Sequence, residues 1–239
     1  MYKKSLLGLG VVALVGMALG ACSDLGTSPD TASAQPSEKA AQAKQYSNGE
    51  LLDLVKQIKA ADGTSLTTVS GEELSSQENP MKELLALMTI EPAECKALGA
   101  LGSSETIAGS TTAGGASVDT AGGVMTGVTL TSGVDADALR NTVQNNKSQA
   151  AACENITLSM AGQSMTMTTK PAEGVSSVPD AAAYKTAISL PDGRAQSTFI
   201  AYAVKDGVLI TATASGQNAD ATGAAAAGAL MDQAAALIK

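Results

Sequence analysis

The sequence predicts an α+β fold, an antiparallel sheet packed against helices in one disulfide-bridged domain, and three observations carry that expectation. Apolar residues recur at helical spacing in separate runs, among them Leu51, Leu52, Val55 and Ile58. Other stretches alternate apolar and hydroxyl residues and meet at tight-turn dipeptides, above all Ser197 to Lys205 and Val208 to Ala214 on either side of Asp206-Gly207. Helical runs mixed with such hairpins describe a sheet covered by helices rather than a strict β–α–β winding.

The N-terminal region has a different character. A short basic start at Lys3 and Lys4 precedes an apolar run from Leu6 to Leu19, which closes in Leu19-Gly20-Ala21-Cys22. The run is short of the roughly 20 residues that a spanning helix needs, and its small terminal residues fit a peptidase cleft. A cysteine directly after Leu-Gly-Ala resembles the bacterial lipobox, in which the signal is cut just before the cysteine and its thiol takes a diacylglycerol. Residues 1–21 are therefore expected to be a lipoprotein signal peptide and Cys22 the lipidation site, with acyl chains of the palmitate kind. From Ser23 to Ser47 the chain is almost wholly Ser, Thr, Ala, Gln, Pro, Gly and scattered charge. Leu25 is its one aliphatic side chain larger than alanine, too little to bury a core. Residues 22–47 are expected to be lipid anchor and flexible tether, with an end-to-end distance of order 25–30 Å. Residues 48–239 are expected to form a single extracytoplasmic domain of ordinary size. Loss of Lys3 and Lys4 leaves the mature chain two charges more negative than the −8 of the whole sequence, so its attachment to the cell membrane has to come from the lipid.

With Cys22 assigned to the lipid, Cys95 and Cys153 remain, and in an exported chain they are expected to form one disulfide. Along the domain, Ser47 or Asn48 caps a helix that runs to Ala60. Asp62-Gly63 stops it, and Ser65 to Ser70 alternates as a short strand. The next helical pattern starts at Asn79-Pro80 and carries Met81, Leu84, Leu85, Leu87 and Met88 to a break at Ile90-Glu91-Pro92. Pro92 suits the first turn of a short helix holding Cys95, Leu98 and Leu101. The Gly-, Ser- and Thr-rich stretch 102–127 admits thin strands or a mobile flap over a cleft, and thin strands are the preferred reading. Gly127 to Ser132 alternates as a strand, and Asp135 and Asp137 open a helix through Leu139 and Val143 towards Cys153.

Ile156 to Met160 and Met165 to Thr168 read as a hairpin joined by Ala161 to Ser164. Pairing Met160 with Met165 puts Ile156, Leu158, Met160, Met165 and Met167 on one face. Thioethers select Cu(I), but their company on that face favours packing, because methionine fills core gaps in a chain with one phenylalanine and no tryptophan. Asp180 to Lys185 is expected to be a helical turn, Thr186 to Leu190 a strand, and Pro191 to Arg194 its turn. In the closing hairpin, Phe199 and Ala201 take one face and Ile200, Tyr202 and Val204 the other. Ala219 to Lys239 reads as a terminal helix.

Composition narrows the chemistry. A chain without histidine has no Ser-His-Asp or Cys-His nucleophile and no imidazole metal ligand. Neither a G-x-S-x-G elbow nor a Ser-x-x-Lys pair occurs. The carboxylate pairs Asp135 with Asp137, Glu72 with Glu73 and Glu91 with Glu94 lack the context of a glycosidase or a calcium loop. An acidic chain this poor in aromatics lacks the basic, stacking surface of nucleic-acid binders. No catalytic residue, cofactor, metal or nucleic-acid partner is expected.

From Pro92 onwards three pieces stand in a suggestive order: Glu91-Pro92-Ala93-Glu94-Cys95, the strand Val128 to Ser132 feeding a helix that ends in Ala151-Ala152-Cys153, and the hairpin Ala201 to Ala214 before an alanine-rich helix. This order resembles the extracellular sensor domain of mycobacterial PknH-type kinases, which also occurs as stand-alone actinobacterial lipoproteins. The sequence lacks that family's tryptophan before the second cysteine and its second disulfide. The resemblance implies a non-enzymatic, sensor-like domain that binds an extracytoplasmic ligand in a cleft. The expectation is thus a lipid-anchored cell-envelope protein on the extracytoplasmic face, binding an envelope ligand or protein that the sequence does not name. The alternative is an envelope lipid or glycolipid carrier, which needs a large apolar cavity between sheet and helices. The small residues of 102–127 would widen such a cavity.

Overall fold

The computed structural model describes residues 43–239, apart from 101–106, 120–121, 161 and 191–192. The expected signal peptide, Cys22 and most of the expected tether lie outside the described residues. The elements are α1 (Asn48–Val55), β1 (Thr67–Ser70), α2 (Gly71–Ala86), β2 (Thr89–Glu91), a 3-10 helix (Ala93–Ala100), β3 (Thr111–Asp119), β4 (Val124–Ser132) and α3 (Ala136–Ala152). They continue as β5 (Asn155–Met160), β6 (Gln163–Pro171), β7 (Ala182–Ser189), β8 (Ala195–Lys205), β9 (Val208–Gly216) and α4 (Ala219–Leu237). The strands form one sheet in the order β1-β3-β4-β9-β8-β7-β6-β5-β2. Every neighbouring pair is antiparallel, as expected for an α+β fold.

Both faces of the sheet are covered, more than the one covered face that the alternation in β8 requires. On one side Ala201, Ala203, Val128, Leu130 and Ile210 pack under α1 and α4, which contribute Leu51, Val55, Leu230 and Met231. On the other, Ile200, Tyr202 and Tyr184 meet Leu139 and Val143 of α3, with Ile156, Leu158 and the two bridged cysteines in the same cluster. Strands β8 and β9 are central, so their residues are buried at both parities. Their turn is Asp206-Gly207, both residues in the left-handed region (φ 44° and 76°), as a two-residue hairpin turn requires.

Helix α1 starts where a cap was expected. Ser47 Oγ accepts from the Glu50 N–H (3.4 Å), and the Ser47 N–H donates to Glu50 Oε2 (2.9 Å). The helix ends at Val55 rather than Ala60, and tight bonds Gln57 N–H to Leu54 O and Ile58 N–H to Val55 O still turn Ile58 into the core. The Ser47 backbone N–H, then its hydroxyl and Lys44, hold the Glu50 carboxyl down at about 2 from an ordinary 4.5. Folding depresses this pKa, so the support of the capping box is complete above the ordinary carboxylate range and fades as pH falls through about 2. A carboxyl-carbon NMR titration is expected to give Glu50 a midpoint near 2 in the folded protein. A midpoint at the ordinary value would mean that the capping box does not persist in solution.

Several expectations move. The folded unit reaches back past residue 48. Tyr46 is 5% exposed, donates its hydroxyl to the Lys239 carbonyl (2.8 Å) and accepts from the Lys239 N–H (3.1 Å). Its own N–H bonds Ser132 Oγ. Local composition cannot register a partner at the far end of the chain. Helix α2 begins at Gly71, well before Asn79-Pro80, because Ser70 and Glu73 form a second reciprocal cap (2.8 and 3.3 Å), and Pro80 lies within the helix. The break at Ile90-Glu91 is also a short edge strand on β5. Residues 182–185, expected as a helical turn, already belong to β7.

The expected pairing of Met160 with Met165 is replaced by Met160 with Gln163 and Leu158 with Met165. Gly162, in the left-handed region (φ 79°), closes a shorter turn than the four residues anticipated. Met160, expected in the core, is 39% exposed at the end of the strand. The glycine-rich stretch contains β3 and the start of β4, and its small residues admit neighbours rather than empty space. A Cβ on Gly115 would lie 2.7 Å from Val55 Cγ1 and 3.0 Å from Leu66 Cβ.

Candidate functional site

A groove of about 750 Å³ runs between α3 and the start of β7, bounded by the β6–β7 connection. Its helical wall is a single stripe of α3, Arg140, Val143, Gln144, Lys147 and Ala151, whose spacing places them on one face. The floor comes from strand alternation. Ala182 and Tyr184 point to the α3 side, paired with Tyr202 and Ile200, and Val204 follows on β8 with the same parity. The facing bank is Pro171 to Ser176 with Asp180.

The bank is anchored from behind. Ser176 Oγ donates to Asp232 Oδ1 of α4 (2.6 Å), and the Ser177 N–H donates to the same oxygen (3.0 Å). The Val175 carbonyl lies so close to α4 that a Cβ on Gly228 would sit 1.7 Å from its oxygen. The connection therefore wraps the end of the sheet and is tied to the layer opposite α3. The helical wall is tied by the disulfide: Cys95 in the 3-10 helix is bonded to Cys153, the residue that ends α3 (Cα–Cα 5.7 Å). Both cysteines are almost fully buried.

Electrostatically the groove has an apolar floor and charged banks of opposite sign, Arg140 and Lys147 on α3 against Glu173 and Asp180 across from them. Arg140 is paired with Asp137 one helical turn earlier. Burial pushes the Tyr184 hydroxyl above its ordinary value, and Tyr202 behind it is raised further by burial and by its neighbour Tyr184. Both phenols therefore stay protonated through the neutral range. The lining contains no cysteine or histidine, and its serine, Ser176, is engaged with Asp232.

None of the groove residues stands out in the sequence. The available signal is the α3 stripe, where charged Arg140 and Lys147 flank Val143 on a face that otherwise reads as core. Three of the carboxylates weighed from the sequence have structural partners, among them Asp137, which pairs with Arg140. Asp135 caps α3 and Glu73 caps α2. Among the described residues no group of three acidic or thiol side chains is placed to hold a metal. No helix among them is long and apolar enough to cross a membrane.

No family model matches the chain. No curated protein matches it either. Among solved structures, the extracellular domain of PknH from Mycobacterium tuberculosis is similar with a TM-score of 0.48 and 14% identity, covering 80% of this chain and 98% of that domain.

Proposed function

We propose that the chain is a lipid-anchored cell-envelope protein whose α+β domain binds a ligand or protein partner outside the membrane, without turnover, in the groove between α3 and the β6–β7 connection. The observation that carries this reading is the groove itself. Its volume lies in the range of small-molecule sites, and one wall is fixed by a buried disulfide and the other by a part-buried hydrogen bond to α4. The protonated Tyr184 phenol and banks of opposite charge favour an occupant with an apolar body and polar groups of both signs. A disulfide buried in the core supports export to an oxidising compartment. The leader and the Leu-Gly-Ala-Cys22 sequence support attachment through lipid on Cys22.

The carrier alternative is less well supported. A lipid chain needs an enclosed apolar chamber, whereas this groove has four charged residues on its banks, and the small residues of β3 are filled by Val55 and Leu66.

Two measurements test the reading. In cells fed an alkyne fatty acid, the wild-type chain is expected to take the label and stay with the membrane, and Cys22→Ala to lose both. Label retained on Cys22→Ala would overturn the anchor. Native mass spectrometry of the full-length protein, released from the envelope in mild detergent, is expected to show a small-molecule adduct or a co-purifying protein. Filling the groove by Ala182→Trp is expected to abolish that adduct. A non-covalent adduct of lipid mass would favour the carrier, and an adduct unaffected by Ala182→Trp would place binding elsewhere.

A further inference from the structure

We propose that the corner of the sheet formed by β2, β5 and β6 is a binding site for Cu(I), with the thioethers of Met88, Met160 and Met165 as ligands. The observed strand register brings these three together. Thr89 pairs with Ser159, so Met88, the residue before β2 begins, lies at the end of the pair where Met160 closes β5. Leu158 pairs with Met165 and Met160 with Gln163, so Met165 and Met160 are diagonal neighbours on adjacent strands, within reach of each other's long side chains. All three belong to one face. Met88 and Met165 pack against the cluster that contains Ile90, Leu158 and Met167, and Met160 lies two residues beyond Leu158.

Gap filling accounts for Met167 and Met231, which are 4% and 0% exposed. It does not account for a group of three in which Met160 is 39% exposed and the other two are half-buried. A thioether at a sheet end contributes little to a core, yet it offers a neutral sulfur donor on a flexible arm. Three such donors suit a soft, monovalent ion that tolerates low coordination, and they discriminate against zinc, calcium and magnesium, which prefer imidazole, thiolate or oxygen. With Cys95 and Cys153 joined, thioethers are the soft donors left to the folded domain. Binding needs no redox step: Cu(I) enters as Cu(I), three Cu–S bonds form as the bonds to its carrier ligand break and that ligand leaves unchanged, and no proton is released because thioethers carry none. The acidic net charge of the chain favours the approach of a cation.

The test uses the full-length chain carrying Cys22→Ala, so that no free thiol competes. Titrated anaerobically with Cu(I) held by the chromogenic chelator bicinchoninate, the protein is expected to withdraw one Cu(I) per chain. Met160→Leu and Met165→Leu conserve volume and are each expected to weaken binding by at least about tenfold, since each removes one sulfur donor. Met125→Leu, at an exposed methionine elsewhere, is expected to leave affinity unchanged. In the same protein with labelled methionine methyl groups, Ag(I) as a redox-inert substitute is expected to shift Met88, Met160 and Met165 saturably at one equivalent and to spare Met125 and Met231. This readout stands even if a variant fails to fold. Failure to compete with the chelator, equal affinity in the double variant Met160→Leu/Met165→Leu, or shifts spread over all exposed methionines would overturn the site.

Discussion

Replacing Cys95 and Cys153 together by alanine is expected to lower the unfolding free energy by about 4 kcal/mol, the loop-entropy value for a bridge spanning this length of chain. The bond joins residues 58 apart in sequence, and reduction releases the whole stretch from the 3-10 helix to the end of α3 in the unfolded ensemble. For a domain of this size that corresponds to a melting temperature lower by roughly 8–16 °C. Both sulfurs are buried, so the exchange to alanine also leaves space beside Leu139 and Ile156. Thermal unfolding of wild type and double variant, each with and without reductant, checks this. Reductant is expected to move the wild type towards the variant and to leave the variant unchanged. A loss below about 1 kcal/mol would mean that the unfolded chain is already restricted between these residues.

Gly228→Val is expected to be the most damaging single change near the groove. A glycine inside α4 costs the helix about 1 kcal/mol relative to alanine, so on propensity alone valine there is an improvement. The close approach of the Val175 carbonyl reverses that sign, because the atom in the way is backbone and cannot rotate aside. The β6–β7 connection has to move off α4, breaking the contacts of Ser176 and Ser177 with Asp232 and displacing the bank that carries Glu173. The expected cost is about 1–3 kcal/mol, accompanied by faster hydrogen exchange over residues 172–181 and by loss of groove occupancy. A variant as stable as wild type with unchanged exchange in that segment would show that α4 and the connection are not in contact in solution.

Much of the fold was legible because its determinants are local. Asp206-Gly207 specifies its hairpin through backbone conformation alone, and the parity of β8 calls for helices on at least one face, where the structure covers both. The errors have physical causes of two kinds. Where a reciprocal cap competes with a proline as the start of a helix, the cap wins, as Ser70 and Glu73 show. Where a turn can close in fewer residues than composition suggests, the register shifts by whole pairs, and Met160 moves from core to surface while keeping its face.

The candidate sites divide in the same way. The α+β class, the two faces of β8 and the helix that ends at Cys153 follow from periodicity and turn chemistry, which act between residues near in sequence. Apart from the charged stripe on α3, the groove has no local signature. It exists because Asp232 holds the β6–β7 connection from the far side of the sheet while the disulfide holds α3 in front, and both partners are distant along the chain. The burial of Tyr46 against Lys239 is a second case: a lone aromatic in a polar stretch becomes core only when it meets a residue 193 positions away. Local sequence determined which residues face together, and only the tertiary structure decided which of those faces meet and which stay open. The reason is that contact between distant segments depends on the packing of every layer between them.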